Sequence, residues 1–256
     1  MSGFGKLHLV PNALDFGAAG TPDRLDALLP LDAIRAAAGL AHWACENAKT
    51  TRAFLKRVDA VVPLALTLQQ IGIVELPRPP KGREAPAAPA AIEALLAPAR
   101  AGHDLGLLSE AGLPALADPG AALVAAAHAA GIAVVVHAGA SAIALALAAS
   151  GLNGQSFAFV GYVPVAADER TARLRALEAL SRREGQTQLM IETPYRNAAL
   201  LEALLAALQP QTMLSVSVGL TLPVAFTRTA AVAAWRQRPI ALPAGLPAVF
   251  ALLAPR

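Results

Sequence analysis

The stretch that most constrains the fold runs from Leu105 to Ala142, where short apolar segments alternate with glycine-bearing loops. Its two apolar runs, Leu105–Leu108 and Ile132–Val136, are short and lack the polar alternation of a half-exposed strand. Such runs are typical of parallel strands that are buried on both faces. Because open α/β sheets bind ligands at the carboxyl ends of their strands, the loops that follow these runs predict a ligand site.

Three glycines mark these loops, and each lacks the Cβ that would keep a small ligand from the backbone: Gly112, Gly120 and Gly139. Asp118 before Pro119 suits a helix N-cap followed by the first helical residue, and Ser141 suits the N-cap of the next helix. The alternative is that these glycines belong to ordinary strand-to-helix turns and contact no ligand.

Hydrophobic residues make up 55% of the 256 residues, so a membrane protein must be considered. The best apolar run, Ala142–Ala149, is far shorter than the about 20 residues that a membrane-spanning helix needs. The first residues have no long apolar core of the kind found in an export signal. Cys45 is the single cysteine, which excludes an internal disulfide. We therefore expect a cytoplasmic protein with no membrane segment.

Several familiar site chemistries are absent from the sequence, including the glycine-rich nucleotide fingerprints, the H-E-x-x-H zinc motif and the G-x-S-x-G hydrolase motif. The five histidines are scattered without metal-ligand spacing, so we expect no metal. Aromatic residues make up only 4% of the chain, which argues against a base-stacking platform. The net charge of +3 is weak evidence for a nucleic-acid partner.

Strand and helix patterns alternate along the chain, which predicts an α/β fold of two α/β domains, residues 1–138 and 139–256. A proline-rich charged segment, Leu76–Pro89, is expected to form a loop or lid. A helix is predicted over Asp23–Leu29. The predicted strands are Leu7–Val10, His42–Glu46, Val61–Leu66, Leu105–Leu108, Ile132–Val136, Ser156–Val163, Thr187–Ile191, Met213–Val218, Val224–Thr227 and Ala248–Leu253.

Four sequence segments follow one another along the chain: SEAGLPALADPG at 109–120, AGASA at 138–142, FVGYVP at 159–164 and ETPYR at 192–196. In this order and spacing they resemble the tetrapyrrole methylase superfamily of S-adenosylmethionine-dependent methyltransferases. Within the superfamily the chain is most similar to the bacterial 16S ribosomal RNA 2′-O-ribose methyltransferases. The resemblance covers nearly the whole chain. It implies two α/β domains, S-adenosylmethionine bound in the cleft between them, and a homodimer.

The resemblance also assigns site residues. The loop after the fourth predicted strand would face the methionine half of the cofactor, a second loop would line the opposite wall, and a third segment would lie beside the adenosine. Glu46 matches an acidic residue of the family. The cofactor-binding residues implied in this way are Pro11, Ser109, Glu110, Ala111, Gly112, Asp118, Ala138, Gly139, Ala140, Ser141, Ala142, Glu192 and Thr193.

Methyl transfer to an alcohol also needs a base, and Glu192 is the first candidate, with Tyr195 or Arg196 orienting the acceptor. The alternative is that Glu192 only caps the helix that starts at Pro194. Glu110 is a second candidate for the base.

Departures from the family pattern leave the acceptor open. Val218–Leu222 stands where the family has a run with three charges, and Ala138 and Ala140 replace prolines. Three hypotheses remain: a methyltransferase for ribosomal RNA, one for a small polycarboxylate such as a tetrapyrrole precursor, and a non-catalytic cofactor-binding relative. Two arginine groups bear on the choice. In a predicted helix over 168–183, Arg170, Arg173 and Arg182 would contact RNA phosphates; the alternative is that this helix face only contacts solvent. A substrate carboxylate would instead be bound by the arginines of 170–183 or by Arg228, Arg236 and Arg238.

Overall fold

A computed structural model describes residues 3–15, 24–77 and 88–256 of the chain. Two units make up the molecule, Met1–Ala140 and Ser141–Arg256, and we describe each by itself. We expected a domain boundary after Ala138, and this division lies close to it in the chain. The predicted lid falls mostly on residues 78–87, which lie outside the described residues, as does the start of the predicted helix at Asp23.

The first unit is built on a sheet of five parallel strands in the order β3-β2-β4-β1-β5. The strands at its centre are short apolar runs, as the sequence predicts for a sheet covered on both faces. Their bounds are β1 Leu7–Leu9, β2 His42–Cys45, β3 Gly72–Glu75, β4 Leu105–Leu108 and β5 Val134–Val136.

Two separate hydrophobic clusters flank this sheet. Neighbouring residues of a strand point to opposite faces, and Leu107 and Leu108 of β4 accordingly belong to different clusters. Trp43 and Ala44 of β2 divide in the same way. The helices of this unit are a 3-10 turn at Leu25–Ala27, α1 Leu31–Gly39, α2 Ala48–Asp59, α3 Pro89–Leu95, α4 Ala97–Arg100 and α5 Ala121–Ala129.

The second unit is built on a mixed sheet in the order β6-β7-β10-β8-β9. Only β6 and β7 are parallel, whereas β10 runs antiparallel to both β7 and β8, and β8 and β9 also pair antiparallel. The α/β class is therefore confirmed, with a second sheet that differs in type from the first. The strand bounds are β6 Phe157–Phe159, β7 Thr187–Glu192, β8 Met213–Val218, β9 Phe226–Ala231 and β10 Ala248–Leu253.

The helices of the second unit bury their apolar side chains against this sheet in two clusters. Trp235 and Phe250 are fully buried in the larger cluster, and the Trp235 indole N–H donates to the Leu214 carbonyl at 2.9 Å. The helices are α6 Ala142–Ser150, α7 Ala167–Glu184, a 3-10 turn at Pro194–Arg196, α8 Asn197–Ala207 and α9 Val232–Gln237. Among the ranges described, no helix combines the length and hydrophobicity needed to cross a membrane.

The predicted strand at Val61–Leu66 is wrong, since the third strand of the first unit is β3. The amide groups of Val61 and Val62 both donate to the Val58 carbonyl, so the chain is still turning off α2. Val61 and Val62 pack against the core cluster that includes Val58, which explains their hydrophobic character without a strand.

Further predictions need correction. Within the described residues the helix predicted over Asp23–Leu29 is a 3-10 turn at Leu25–Ala27, and the strand predicted over Ser156–Val163 is the shorter β6, which ends at Phe159. The strand predicted over Val224–Thr227 is β9, which begins later and continues further, because it follows the full length of β8 in a hairpin. The predicted N-cap role of Asp118 is also wrong. Helix α5 begins at Ala121 with Gly120 at the N-cap, so Asp118 lies in the preceding loop.

Candidate functional site

Asn12 joins the loop after β1 to the loop after β4. Its backbone exchanges two hydrogen bonds with Gly112, of 2.8 and 3.1 Å. Its side-chain amide donates to the carbonyls of Ser109 and Glu110, at 3.1 and 2.9 Å. Sequence analysis missed this residue because no local pattern marks an amide whose partners lie about a hundred positions away.

The loops after β1 and β5 also meet, which brings two predicted site residues together. A Cβ on Gly139 would lie 2.1 Å from the Cβ of Pro11, so only glycine permits this approach. The Ala140 carbonyl oxygen lies 3.6 Å from the position that a Cβ on Gly112 would take. The loops after β1, β4 and β5 therefore converge at the carboxyl edge of the first sheet, where parallel sheets bind ligands.

The loop after β4 carries backbone strain. Gly112 has φ of +69°, and the non-glycine residues Ala115 and Ala117 have φ of +64° and +66°. A left-handed non-glycine residue costs about 1 kcal/mol or more, and such strain clusters at ligand sites. The φ of Gly112 by itself favours glycine at this position, whether or not a ligand lies against it.

Carboxylates surround the same loop. One oxygen of Glu46, which follows β2, accepts from the Glu110 backbone N–H at 2.7 Å. The Thr50 hydroxyl donates to the Glu110 carboxylate at 2.7 Å. Burial raises the pKa of Asp118 to about 7, with smaller contributions from the charges of Glu46 and Glu110. A cationic ligand beside Asp118 would favour its ionised form.

Ser109 supplies an unused polar group in this loop. The residue is 3% exposed, and no described residue offers its buried hydroxyl a hydrogen-bond partner. Buried polar groups are nearly always paired, so an unpaired one at the end of a strand indicates a missing ligand or water. Ala111 is buried beside it, and Glu110 is exposed.

The remaining predicted residues of the first unit are Ala138, which is exposed, and Ala140, which is half-buried. Ser141 and Ala142 open the second unit. The Ser141 hydroxyl accepts from the Ala144 N–H at 3.5 Å and caps α6, as predicted.

In the second unit, Glu192 ends β7 with its side chain buried and its Oε1 atom heavily used. That oxygen accepts from the Thr193 N–H at 2.7 Å and from Arg196 Nε and Nη2 at 2.9 and 2.6 Å. The Arg196 guanidinium lies 5.4 Å from the ring centroid of Tyr195. The structure thus brings together Glu192, Thr193, Tyr195 and Arg196. It gives Glu192 an anchoring task, and its role as a base stays a prediction.

The segment that departs from the family's charged run forms a tight turn after β8. Gly219 donates to the Pro247 carbonyl at 2.9 Å, Leu222 donates back to Gly219 at 2.9 Å, and Leu222 is buried. Apolar packing therefore replaces the charges at this position.

Two of the arginines considered as carboxylate clamps are already engaged. Arg228 donates to the carbonyls of Arg238 and Ala234, and its guanidinium lies 4.1 Å from the Trp235 ring centroid. Arg236 donates to the carbonyls of Leu205 and Leu208, both at 2.8 Å. These contacts favour a structural role over the clamp.

The phosphate-binding face expected on α7 is not formed by three arginines. Arg170 is half-buried on the side of Leu174, Arg173 is exposed, and Arg182 donates to the Pro255 carbonyl at 3.2 Å. Twelve residues rotate a helix by about 120°, so Arg170 and Arg182 cannot share a face. Across the described part of the chain, no group of three or more acidic, histidine or cysteine residues could hold a metal ion.

Comparison with known proteins gives one family match and several relatives. The family model described as Tetrapyrrole (Corrin/Porphyrin) Methylases matches residues 20–230. A stretch of 114 residues is 41% identical to the ribosomal RNA small subunit methyltransferase I of Mesorhizobium japonicum, covering 44% of this chain and 37% of that protein. The Synechocystis protein of the same name is 37% identical over 127 residues, covering 50% of this chain and 44% of that protein. The aligned stretches span less than half of these relatives.

Solved structures match over nearly the whole chain at low identity, which shows the fold alone. The uroporphyrin-III C-methyltransferase of Thermus thermophilus has a TM-score of 0.51 at 22% identity, covering 97% of this chain and 94% of that one. A structure of the same enzyme complexed with S-adenosylhomocysteine has a TM-score of 0.52 at 19% identity, covering 97% of both chains. The methyltransferase CobJ has a TM-score of 0.54 at 15% identity, covering 98% and 100%.

Proposed function

Because the chain belongs to the tetrapyrrole (corrin/porphyrin) methylase family, we propose that it transfers a methyl group from S-adenosylmethionine to ribosomal RNA. The acceptor we propose is the 2′-hydroxyl of a ribose. The observation that carries the cofactor assignment is the buried, unpaired Ser109 hydroxyl in a strained loop at the carboxyl edge of the first sheet. The relatives named for small-subunit ribosomal RNA support the acceptor.

The residues of the first unit fit this cofactor chemically. S-adenosylmethionine carries a sulfonium and an ammonium, and both favour carboxylates and carbonyl or hydroxyl oxygens. Ser109 offers the hydroxyl, and Glu110 and Asp118 offer the carboxylates. When bound, the cofactor supplies a methyl group that leaves its sulfur during a direct displacement.

The chain's own contribution to this reaction is mainly positioning, since donor and acceptor must be held in line. The acceptor oxygen gains the methyl carbon and loses its proton, and we propose Glu192 as the group that receives that proton. Every hydrogen bond from the described residues to this carboxylate falls on Oε1, so Oε2 is the atom that we propose for the proton. Arg196 holds Glu192 in place.

A small polycarboxylate is the second candidate acceptor, and two observations weigh against it. Arg228 and Arg236 each donate two hydrogen bonds to backbone carbonyls, which holds both guanidinium groups against their own unit. The two curated relatives named above are ribosomal RNA small subunit methyltransferases. A non-catalytic relative would bind the cofactor and transfer nothing.

The assay that separates these hypotheses uses a radiolabelled methyl donor. Small ribosomal subunits from a strain that lacks this protein should incorporate label, and mapping should place it on a ribose. Uroporphyrinogen-type intermediates should remain unlabelled. Label on the tetrapyrrole alone would establish the second acceptor, and cofactor binding without any transfer would establish the non-catalytic relative.

We also propose that the protein acts as a homodimer, as the family resemblance implies, and that it needs no metal, as the scattered histidines indicate. A ribosomal substrate would place it in the cytoplasm.

A further inference from the structure

Both tyrosines of the chain are exposed at one edge of the second sheet. Tyr162 is 57% exposed and lies three residues beyond the end of β6. Tyr195 is 79% exposed and lies three residues beyond the end of β7. Because β6 and β7 are neighbouring parallel strands, their carboxyl ends and the two rings lie at the same edge.

Arg196 directly follows Tyr195 and is anchored by a buried carboxylate. Its Nε and Nη2 donate to Glu192, whose side chain is only 2% exposed. The guanidinium contacts the Tyr195 ring in cation–π geometry. The pKa of Arg196 is raised, first by the hydrogen bond to Glu192, then by the charge of Glu192, and to a smaller extent by the charges of Tyr195 and Tyr162. Two aromatic rings and one oriented guanidinium therefore share a surface.

The unit that carries this surface is the basic part of the molecule. Residues 141–256 contain ten arginines and six aspartate or glutamate residues, a formal charge of +4. Residues 1–140 contain 11 basic and 12 acidic residues, a formal charge of −1. A polyanion is accordingly attracted to the unit with the tyrosines.

Exposed aromatic rings beside an arginine plane are the features that proteins use to stack on unpaired RNA bases. We propose that Tyr162, Tyr195 and Arg196, the stacking platform, bind an unpaired base of the RNA acceptor; this rests on the proposed function. The low aromatic content of the chain argued against such a platform. The aromatic content of the whole chain does not decide the question, because two rings are enough for a platform when the fold places them together.

The test is binding of a fluorescent single-stranded oligoadenylate of about ten nucleotides, measured by anisotropy. Tyr195→Leu and Tyr162→Leu should each weaken binding by roughly 5- to 100-fold, and Tyr195→Phe should keep it. The slope of affinity against salt should stay unchanged in Tyr195→Leu, because stacking releases no counterions. Phe157→Leu is the matched control, since this exposed aromatic lies in β6 itself, at the amino end of the strand. It should bind as the wild type does.

The tyrosines could stack on an adenine of the RNA or on the adenine of S-adenosylmethionine. Affinity for S-adenosylmethionine, measured by calorimetry, separates these two cases. Unchanged cofactor affinity in Tyr195→Leu supports the platform, whereas a parallel loss would assign the ring to the cofactor and overturn it. Wild-type RNA affinity in both leucine variants would also overturn it. Tyrosine-dependent RNA binding without methyl transfer to ribosomal subunits would support the platform and count against the proposed function.

Discussion

Asn12 and Gly112 exchange a pair of backbone hydrogen bonds between the loops after β1 and β4. The Asn12 side chain adds two hydrogen bonds to the carbonyls of Ser109 and Glu110. Asn12 thus contributes four of the hydrogen bonds that hold the loop with the proposed cofactor contacts in place.

We expect Asn12→Asp to destabilise the protein by about 1–3 kcal/mol, because two carbonyls lose their donor inside the fold. Aspartate keeps the oxygen that accepts from the Ala13 N–H, and it replaces the amide donor with a second carboxylate oxygen that faces the same two carbonyls. Urea denaturation measures the change, and calorimetry should show weaker cofactor binding. An unfolding free energy equal to that of the wild type would show that the amide does not hold this loop.

Ser109→Ala should leave the unfolding free energy unchanged or raise it, because it removes a buried hydroxyl that has no partner within the described protein. Affinity for S-adenosylmethionine should fall roughly 2- to 10-fold, the worth of one hydrogen bond. Ser150→Ala is the matched control. Ser150 is equally buried, and its hydroxyl donates to the Leu147 carbonyl and accepts from the Leu152 N–H. Ser150→Ala should lose stability and keep its cofactor affinity. If Ser109→Ala loses stability and keeps its affinity instead, the cofactor binds elsewhere.

Asp118 should give a pH-dependent stability. The pKa of this carboxyl is about 7 in the folded protein, against an ordinary value of 3.8, so the folded state retains a proton that the unfolded state loses. Stability should therefore fall as pH rises from about 4 to about 7 and level off above. Asp118→Asn should remove this pH dependence, so the unfolding free energy of the variant should rise relative to that of the wild type between about pH 4 and about pH 7. Unfolding titrations at several pH values measure the difference, and parallel pH profiles for the two proteins would refute it.

Glu192→Gln should lower kcat for methyl transfer by at least about 100-fold if Glu192 receives the acceptor proton. Glutamine loses the ion pair with Arg196 but keeps an acceptor oxygen for the Thr193 N–H and for Arg196 Nε and Nη2, so the loop after β7 should persist. Glu202→Gln serves as the control, because this exposed carboxylate lies on α8 in the same unit. Activity of Glu192→Gln within a few-fold of the wild type would leave Glu192 only its anchoring task.

Light scattering should give a dimer mass over a broad range of protein concentration. Stable homodimer interfaces generally bury more than about 1,200 Å², so the dimer should not dissociate on moderate dilution. A monomer mass at every concentration would contradict the proposed assembly.

The sequence by itself determined features that depend on neighbouring residues. Apolar runs bounded by turn residues located β4 and β5, and the position of Ser141 before a helical run predicted its cap on α6. The motif order from Ser109 to Arg196 was sufficient to identify the family. These signals are local, or they repeat a known pattern at known spacing.

Only the tertiary structure decided features that depend on distant partners. The role of Asn12 requires a loop about a hundred residues away. The bounds of β9 differ from those that the local pattern predicts, because β9 pairs with the whole of β8 in a hairpin. The raised pKa of Asp118 comes from burial, which no local pattern encodes. Tyr162 and Tyr195 form one surface only because β6 and β7 pair in parallel. Pairing and burial are properties of the assembled chain, and they turn scattered residues into a site.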